Sequence, residues 1–567
     1  MPEPDATPRA STLRHWTGAA IAAAIGLAVV AFVFGPHILS PWSSGWMLSG
    51  VLGPDPVQYW LGWNFFREGA WSFPPGRNPG FGLELSSSVF YADAIPLLAF
   101  LFKALRDLVQ VDQYWGMWLF ACGALQGWLG FLLLGRVTPA LWPRLAGAAL
   151  FVLQPMLLTR MGGHFALAGQ FLIIAGLWFC LKPGHWWRWV ALVAATSLIH
   201  SYILPMVLAL WLADLLTRRG RNPAEWALVP GAGILGLWAA GFFMLRAGHD
   251  GQGARYGEMQ MDLLAPFTPG SWGAFLPALP GPGHPEVDGS YLGLGVLLLL
   301  ASGLGLLAMR PQLRAAAGAG LRRHFWLVAA LLGMLLVAIT HRLSVGGHIV
   351  TWLPLPEAAV RLASALRASE RFFWPLGYAL VLGGVWVAVR ALGARRAGAL
   401  LTVLVLVQIL DLRPGFERLA GFFPPTRAEL PLRLADPFWE QAARRYARVR
   451  LVNAGNQARG WEEVAVFAAE RGLETDAVYL ARIDAERVAA LNAETARRLA
   501  QGRAEPGTLY VLTDAAAVAR ALAGMNASRD VLARHDGFWV LAPGWRGQGQ
   551  LASRGGNGAS SPATPPE

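Results

Sequence analysis

Long apolar blocks alternate along this chain with short clusters of arginine, a pattern that predicts a ladder of membrane helices. The first block, Thr17 to Pro36, follows Arg9, Arg14 and His15 and is long enough to span a bilayer. Gly35, Pro36 and His37 do not form a small-residue cleavage site, so the block reads as a retained helix with a cytoplasmic N-terminus. Tyr114 to Gly135, Leu145 to Leu158 and Phe165 to Leu181 follow. The stretch Trp189 to Leu216 is too long for one untilted helix and is interrupted by His200, Ser201, Tyr202 and Pro205, which predicts two short helices meeting outside. Trp226 to Leu245, Tyr291 to Met309, Phe325 to Thr340, Phe372 to Val389 and Ala397 to Leu410 complete a ladder of about eleven spans. In that ladder Arg136 and Arg144, Lys182 and Arg188, the run Arg218 to Arg221, the group Arg310, Arg314, Arg322 and Arg323, and the group Arg390, Arg395 and Arg396 all face the cytoplasm.

The orientation holds only if Ala94 to Leu108 is not a crossing. It is short, carries Lys103, Arg106 and Asp107, and has its apolar positions at helical spacing, as expected of a helix lying in the outer interface. The chain then divides into a cytoplasmic segment (1–15), a transmembrane domain (16–412) with a long first external loop (38–112), an external domain (413–546) and a tail (547–567). After the neck GFFPPTRAELP, the external domain alternates the apolar runs RVRLV, AVYLA, TLYVLT and GFWVLA with the helix-like stretches WEEVAVFAAERG and DAERVAALNAETARRLAQ. That reads as a small α/β domain without a Gly-rich phosphate loop, a metal cluster or a nucleophile motif, suited to a structural or docking role. The Gly, Ser, Ala and Pro composition of the tail reads as disordered.

Composition supports the membrane reading, because 55% hydrophobic and 14% charged residues, with a mean hydropathy of +0.41, are too apolar for an ordinary soluble enzyme. The formal charge of +12 does not imply nucleic acid, since the arginines cluster where they orient helices. Cys122 and Cys180 both lie inside apolar runs, so no disulfide framework is implied.

Chemistry enters with the acids of the first loop. In GPDPVQYWLGWNFFREGAW, Asp55 stands between two prolines ahead of an aromatic-rich stretch, and Asp93 stands in SSSVFYADAIPLL at the other end of the loop. A carboxylate at the membrane surface is costly unless it meets water, a cation or a partner. Asp55 before Pro56 also matches a helix N-cap followed by proline, so cap and base both stand as readings. Arg361, Arg367 and Arg371 in AAVRLASALRASERFFWP offer planar forks suited to phosphate oxygens, or anchors among lipid head groups. Arg160 and His164 in TRMGGHFAL occupy a similar external position, while His200 and Tyr202 read as packing groups. Glu258, Asp262, His284, Glu286 and Asp288 are scattered through a loop rich in Gly and Pro without recognisable ligand spacing.

The first-loop motifs, together with GGHFALAGQFLIIAGLW and LRASERFFWPLGY, resemble a bacterial multi-pass family of unknown function, itself similar to the GT-C superfamily of membrane glycosyltransferases. The resemblance covers most of residues 15 to 415 and implies an all-α polytopic, GT-C-like membrane domain followed by the small external α/β domain. It further implies transfer of a sugar from a polyprenyl-phosphate donor to a glycan, lipid or protein acceptor, at the outer face of the cytoplasmic membrane. Asp55 would then be the base that deprotonates the acceptor, with Asp93 as alternative base or partner. Arg361, Arg367 and Arg371, with Arg160, His164 and Glu258, would bind substrate, and a divalent ion, Mg or Mn, is compatible with that chemistry. A polymerase or ligase of lipid-linked glycans, or a flippase or transporter of envelope polysaccharide, would share much of this organisation.

Overall fold

Two glycines decide how the first two long helices meet. A Cβ on Gly26 would lie 1.9 Å from the carbonyl oxygen of Gly123, and one on Gly127 would lie 2.1 Å from that of Ala22. The helices Pro8–Phe34 and Trp115–Leu134 therefore touch backbone to backbone, the close approach that small residues permit in membrane proteins. The structure is a computed structural model that describes residues 8–49, 51–182, 184–218, 222–244, 255–281, 289–423, 434–456 and 458–546. The tail 547–567, most of the proline-rich neck, Arg219, Arg221, His284, Glu286 and Asp288 lie outside the described residues.

The chain packs as two units. The first comprises Met1–Ser43, Gln113–Leu237 and Ala254–Pro425; the second comprises Ser44–Asp112, Trp238–Gly253 and Thr426–Glu567.

The first unit is helical, and the protein is a multi-pass membrane protein. Among the described residues three helices are long and apolar enough to cross a bilayer: His15–Phe34, Trp115–Leu134 and Ser369–Asp411. Two bent pairs, Leu141–Val152 with Pro155–Met161 at 49° and Leu294–Met309 with Pro311–Arg323 at 113°, raise the number to five if each is one span. This corrects the expected ladder of about eleven spans and the GT-C-like fold built on it. The apolar blocks do form helices, but Ile203–Thr217, Glu225–Ala240 and Phe325–Ile339 are too short. Fifteen residues, the length of Ile203–Thr217, rise only about 22 Å, against a hydrocarbon core of about 30 Å. The blocks expected at Phe372 to Val389 and Ala397 to Leu410 appear as two helices within Trp374–Asp411, separated by a kink at Gly393, whose φ of 75° is left-handed and non-helical.

Buried amides stitch this unit. At the break before Pro155 the freed carbonyls need donors; Gln126 Nε2 serves Phe151 O at 3.2 Å and Gln408 Nε2 serves Leu153 O at 3.0 Å. Tyr378 accepts from Gln126 Nε2 at 2.7 Å and donates to Gln170 Oε1 at 2.6 Å, linking three helical segments. Outside the helices, a hairpin of β1 (Arg342–Val345) and β2 (His348–Thr351) is clamped by Asp262. Its carboxylate accepts from Ser344 Oγ at 2.7 Å and from the backbone of Leu264, Gly346 and Gly347 at 2.8, 3.1 and 3.0 Å.

The second unit joins the first loop to an α/β sheet. Strands β3 (Arg448–Val452), β4 (Glu474–Thr475), β5 (Thr508–Leu512), β6 (Val531–His535) and β7 (Phe538–Ala542) stand in the order β4-β3-β5-β7-β6. The β4, β3 and β5 strands run parallel, and β7 is antiparallel to both β5 and β6. Helices Trp461–Arg471, Ala485–Ala500 and Ala515–Gly524 connect the strands, and Asp484 and Asp514 cap the last two through their carboxylates. Three expected strands appear where the apolar runs lie. AVYLA does not form one, since its backbone serves other partners: Leu480 N donates to Asn456 Oδ1 and Ala481 N to Tyr91 O.

First-loop residues extend the β4 edge. Phe81 pairs with Thr475 in a parallel bridge, Gly82 N donates to Thr475 O at 2.8 Å and Thr475 N to Gly80 O at 3.0 Å. Within Ala94 to Leu108 a helix forms over Pro96–Ala104 and holds the end of the Pro54–Glu68 helix. Lys103, 2% exposed, stands 3.8 Å over Phe66 and 4.7 Å over Trp71, and donates to Ala70 O.

Candidate functional site

In the first unit two arginines and a histidine, from two stretches of chain, act on one imidazole. Arg160 ends the short helix Pro155–Met161, and His164 precedes the turn Phe165–Ala168. Arg371 lies in the 3-10 turn Ser369–Phe373, just before the long helix. His200 stands in the bend between helices Trp187–Ser197 and Ile203–Thr217. Its pKa is held well below the ordinary histidine value, first by burial and then by Arg371, His164 and Arg160 in that order. His200 Nδ1 accepts from Tyr202 N at 3.0 Å, which leaves the proton of the neutral ring on Nε2.

Packing fixes the two guanidiniums. Arg160 is 4% exposed and lies over Trp374 at 5.8 Å; Arg371 is 8% exposed and lies over Tyr202 at 4.8 Å. A Cβ on Gly289 would come within 3.1 Å of Arg160 Nη2, so glycine there lets the backbone approach the fork. Glu370, 2% exposed, accepts from Ser290 Oγ at 2.7 Å, and its backbone N donates to Met259 O at 3.3 Å. Tyr202 Oη accepts from Ala368 N at 3.2 Å, which ties the bend to the turn that carries Arg371.

Of the residues singled out from the sequence, Arg160, His164 and Arg371 come together here. Arg367 is half-buried at the end of the turn Ser364–Leu366, and Arg361 is exposed on the helix Glu357–Ala363. Glu258 is exposed and accepts from Arg255 N at 2.8 Å. Glu370, His200, Ser290 and Tyr202 were not picked out as site residues. The signal for Glu370 was present in ASERFFWP, an acid beside an arginine at the mouth of an apolar run.

The two first-loop acids belong to the second unit. Asp55 is not the N-cap of its helix: Gly53 occupies that position, Pro54 follows, and Asp55 lies in the first turn, where its charge meets the positive end of the helix. Gln58 and Gly62 share its face of the helix. Gln58 Nε2 donates to Tyr91 O at 2.8 Å, and a Cβ on Gly62 would lie 2.3 Å from Ala92 Cβ, so that face is packed against the turn carrying Asp93. Asp93 is half-buried and takes a left-handed φ of 49°.

Among the described residues no group of three or more His, Cys, Asp or Glu is placed to hold a metal ion. The glycosyltransferase expectation, with the polymerase, ligase and flippase readings beside it, is corrected together with its architecture. The three to five helices long enough to span among the described residues do not form the large multi-pass core on which sugar transfer from a polyprenyl phosphate was to rest.

The family described as Domain of unknown function (DUF6311) matches residues 23–413, and the DUF6311 C-terminal domain matches residues 438–543. The chain belongs to the DUF6311 family. No curated protein matches it.

Proposed function

We propose that this member of the DUF6311 family binds the anionic, phosphate-bearing head group of a membrane lipid in its helical unit. The observation that carries the reading is that the buried Arg371 and Arg160, from two separate stretches of chain, act together with His164 on His200. Guanidinium forks match phosphate oxygens in two-pronged geometry, and a site shielded from water strengthens each charge-assisted bond. Trp374 and Tyr202 hold the forks, so little side-chain freedom remains to be lost on binding. The membrane is a bacterial cytoplasmic membrane, with Arg9 and Arg14 keeping the N-terminus in the cytoplasm. That sidedness puts the end of the first span and the start of the next on the outer face, where Gln113 Nε2 donates to Ile38 O at 2.9 Å.

The test is equilibrium binding of phosphatidylglycerol to the detergent-purified protein, with phosphatidylcholine as the zwitterionic comparison. Arg371→Gln and Arg160→Gln should each weaken the anionic lipid at least tenfold, since a charge-assisted bond contributes about 1.5–3 kcal/mol. Arg413→Gln, which alters an exposed ion pair with Glu417, should leave affinity unchanged. Equal affinity for both lipids, or wild-type affinity in both cluster variants with melting temperatures intact, would sink the reading.

A further inference from the structure

The second unit contains a cavity of about 380 Å³, within the roughly 300–1,000 Å³ common for small-molecule sites. Six charged side chains line it and their charges balance: Arg450, Arg487 and Arg498 against Glu84, Glu494 and Glu505. Most are already paired. Arg498 donates from Nε to Glu494 Oε1 at 2.5 Å and from Nη1 to Glu505, while Arg450 grips Glu84 with both arms at 3.0 and 2.5 Å.

That pairing selects the class of ligand. An entering anion must pull a guanidinium away from its carboxylate, and an entering cation must do the reverse, so either breaks charge-assisted bonds that exist already. A hydroxyl breaks none. It donates to a lone pair that the paired carboxylate still offers, and accepts from a guanidinium N–H not used in the pair. Ala490 and Leu491 add an apolar wall, which suits the C–H face of a saturated ring. The array is rigid as well as balanced. Arg487, Ala490, Leu491, Glu494 and Arg498 fall at helical spacing on one face of Ala485–Ala500, whose start Asp484 caps, and Arg450 is 4% exposed. We propose that this cavity binds a neutral polyhydroxylated ligand, a sugar ring.

The test is calorimetric titration of the full-length protein in detergent with glucose, galactose, rhamnose and maltose, against glucose 6-phosphate, glucuronate and glucosamine. At least one neutral sugar should bind in the low-millimolar range or tighter, and its charged derivatives at least tenfold more weakly. Ala490→Trp, at an exposed helix position, should fill the mouth and weaken binding at least tenfold without lowering the melting temperature. Arg487→Met provides a second, smaller perturbation and should weaken it severalfold. Absence of binding by every neutral sugar, tighter binding of a charged derivative, or affinity untouched by both variants would each overturn the proposal.

Discussion

Arg450→Met tests how the first loop and the sheet hold together. Arg450, on β3, is 4% exposed and meets Asp476 at 2.9 Å and Glu505 at 3.6 Å besides its fork on Glu84. Asp476 is 2% exposed, and its remaining partner is Leu451 N at 2.7 Å. Methionine would leave that carboxylate buried and short of its counter-charge, a change that costs about 3–5 kcal/mol. Glu84 is 56% exposed, so its half of the network adds less. Expressed as local opening, the loss corresponds to amide exchange on the order of 10²- to 10⁴-fold faster. It should appear in β3 and β5 and equally across residues 80–92, because Phe81 and Gly82 are bonded to Thr475 at the sheet edge and Tyr91 to Ala481 in the stretch that follows it. Arg448→Met, which breaks an exposed pair with Glu474, should cost less than about 1 kcal/mol. Equal effects of the two variants, or preserved protection in 80–92 while β3 loses it, would refute the argument.

The same network gives a signed pH dependence. Burial pushes the Asp476 carboxyl up to about 6, while Arg450 and Leu451 N–H pull the other way. An acid whose folded pKa exceeds its unfolded value binds protons preferentially when folded. Its contribution therefore increases as pH falls from above 6 towards 3.8, and is lost as pH rises through that window. Glu84 behaves oppositely: burial raises its pKa, but the hydrogen bond from Arg450 and the neighbouring charges outweigh that and hold it below 4.5, so its contribution fades only at lower pH. Protection of β3, corrected for intrinsic exchange, should rise from pH 7 to pH 5 in the native protein and stay level in Asp476→Asn. A native profile that falls over that interval would contradict the assignment.

Gly26→Leu should abolish monodisperse folded protein, because its Cβ alone would collide with Gly123 O at 1.9 Å; Gly305→Leu, with nothing within 4 Å, should be harmless, and similar chromatograms for the two would contradict backbone contact. Asp262→Ala removes the acceptor of four hydrogen bonds and should expose the Arg342–Thr351 hairpin to limited proteolysis, with destabilisation of roughly 2–4 kcal/mol. Unchanged cleavage there would show that strand pairing alone holds the hairpin.

Local chemistry was legible in the sequence and depth was not. The bend at His200–Tyr202, the helices Trp115–Leu134 and Phe325–Ile339, and the strands β3, β5 and β7 all follow from apolar spacing and turn residues. Periodicity says nothing of whether an apolar helix reaches both faces of a bilayer, and Ile203–Thr217 falls short. Strand β6, VLARH, lacks a continuous apolar run because it is an edge strand. The proline before Asp55 displaced the cap by two residues, since Pro54 itself fits the first helical position. Arg450 was hidden for another reason: its partner Glu84 lies 366 positions away, beyond any spacing rule.

The short helices and the cationic cluster have a common cause. A helix that stops before crossing the hydrocarbon core leaves terminal carbonyls and N–H groups that must be satisfied within the protein. In the first unit such ends occur at Met161, Phe165, Ser197 and Ile203, and Arg160, His164, His200 and Tyr202 all lie at or between them, while Arg371 precedes the long helix at Trp374. Each end supplies both a break in the apolar wall and backbone dipoles that tolerate charge. The bond from Ala368 N to Tyr202 Oη shows one such need being met across segments. Uninterrupted spans would have presented only apolar side chains at this level. The helix ends at Met161, Ser197 and Ile203 are thus where Arg160, His164 and His200 enter the helical unit, and Arg371 joins them from the start of the long element Ser369–Asp411.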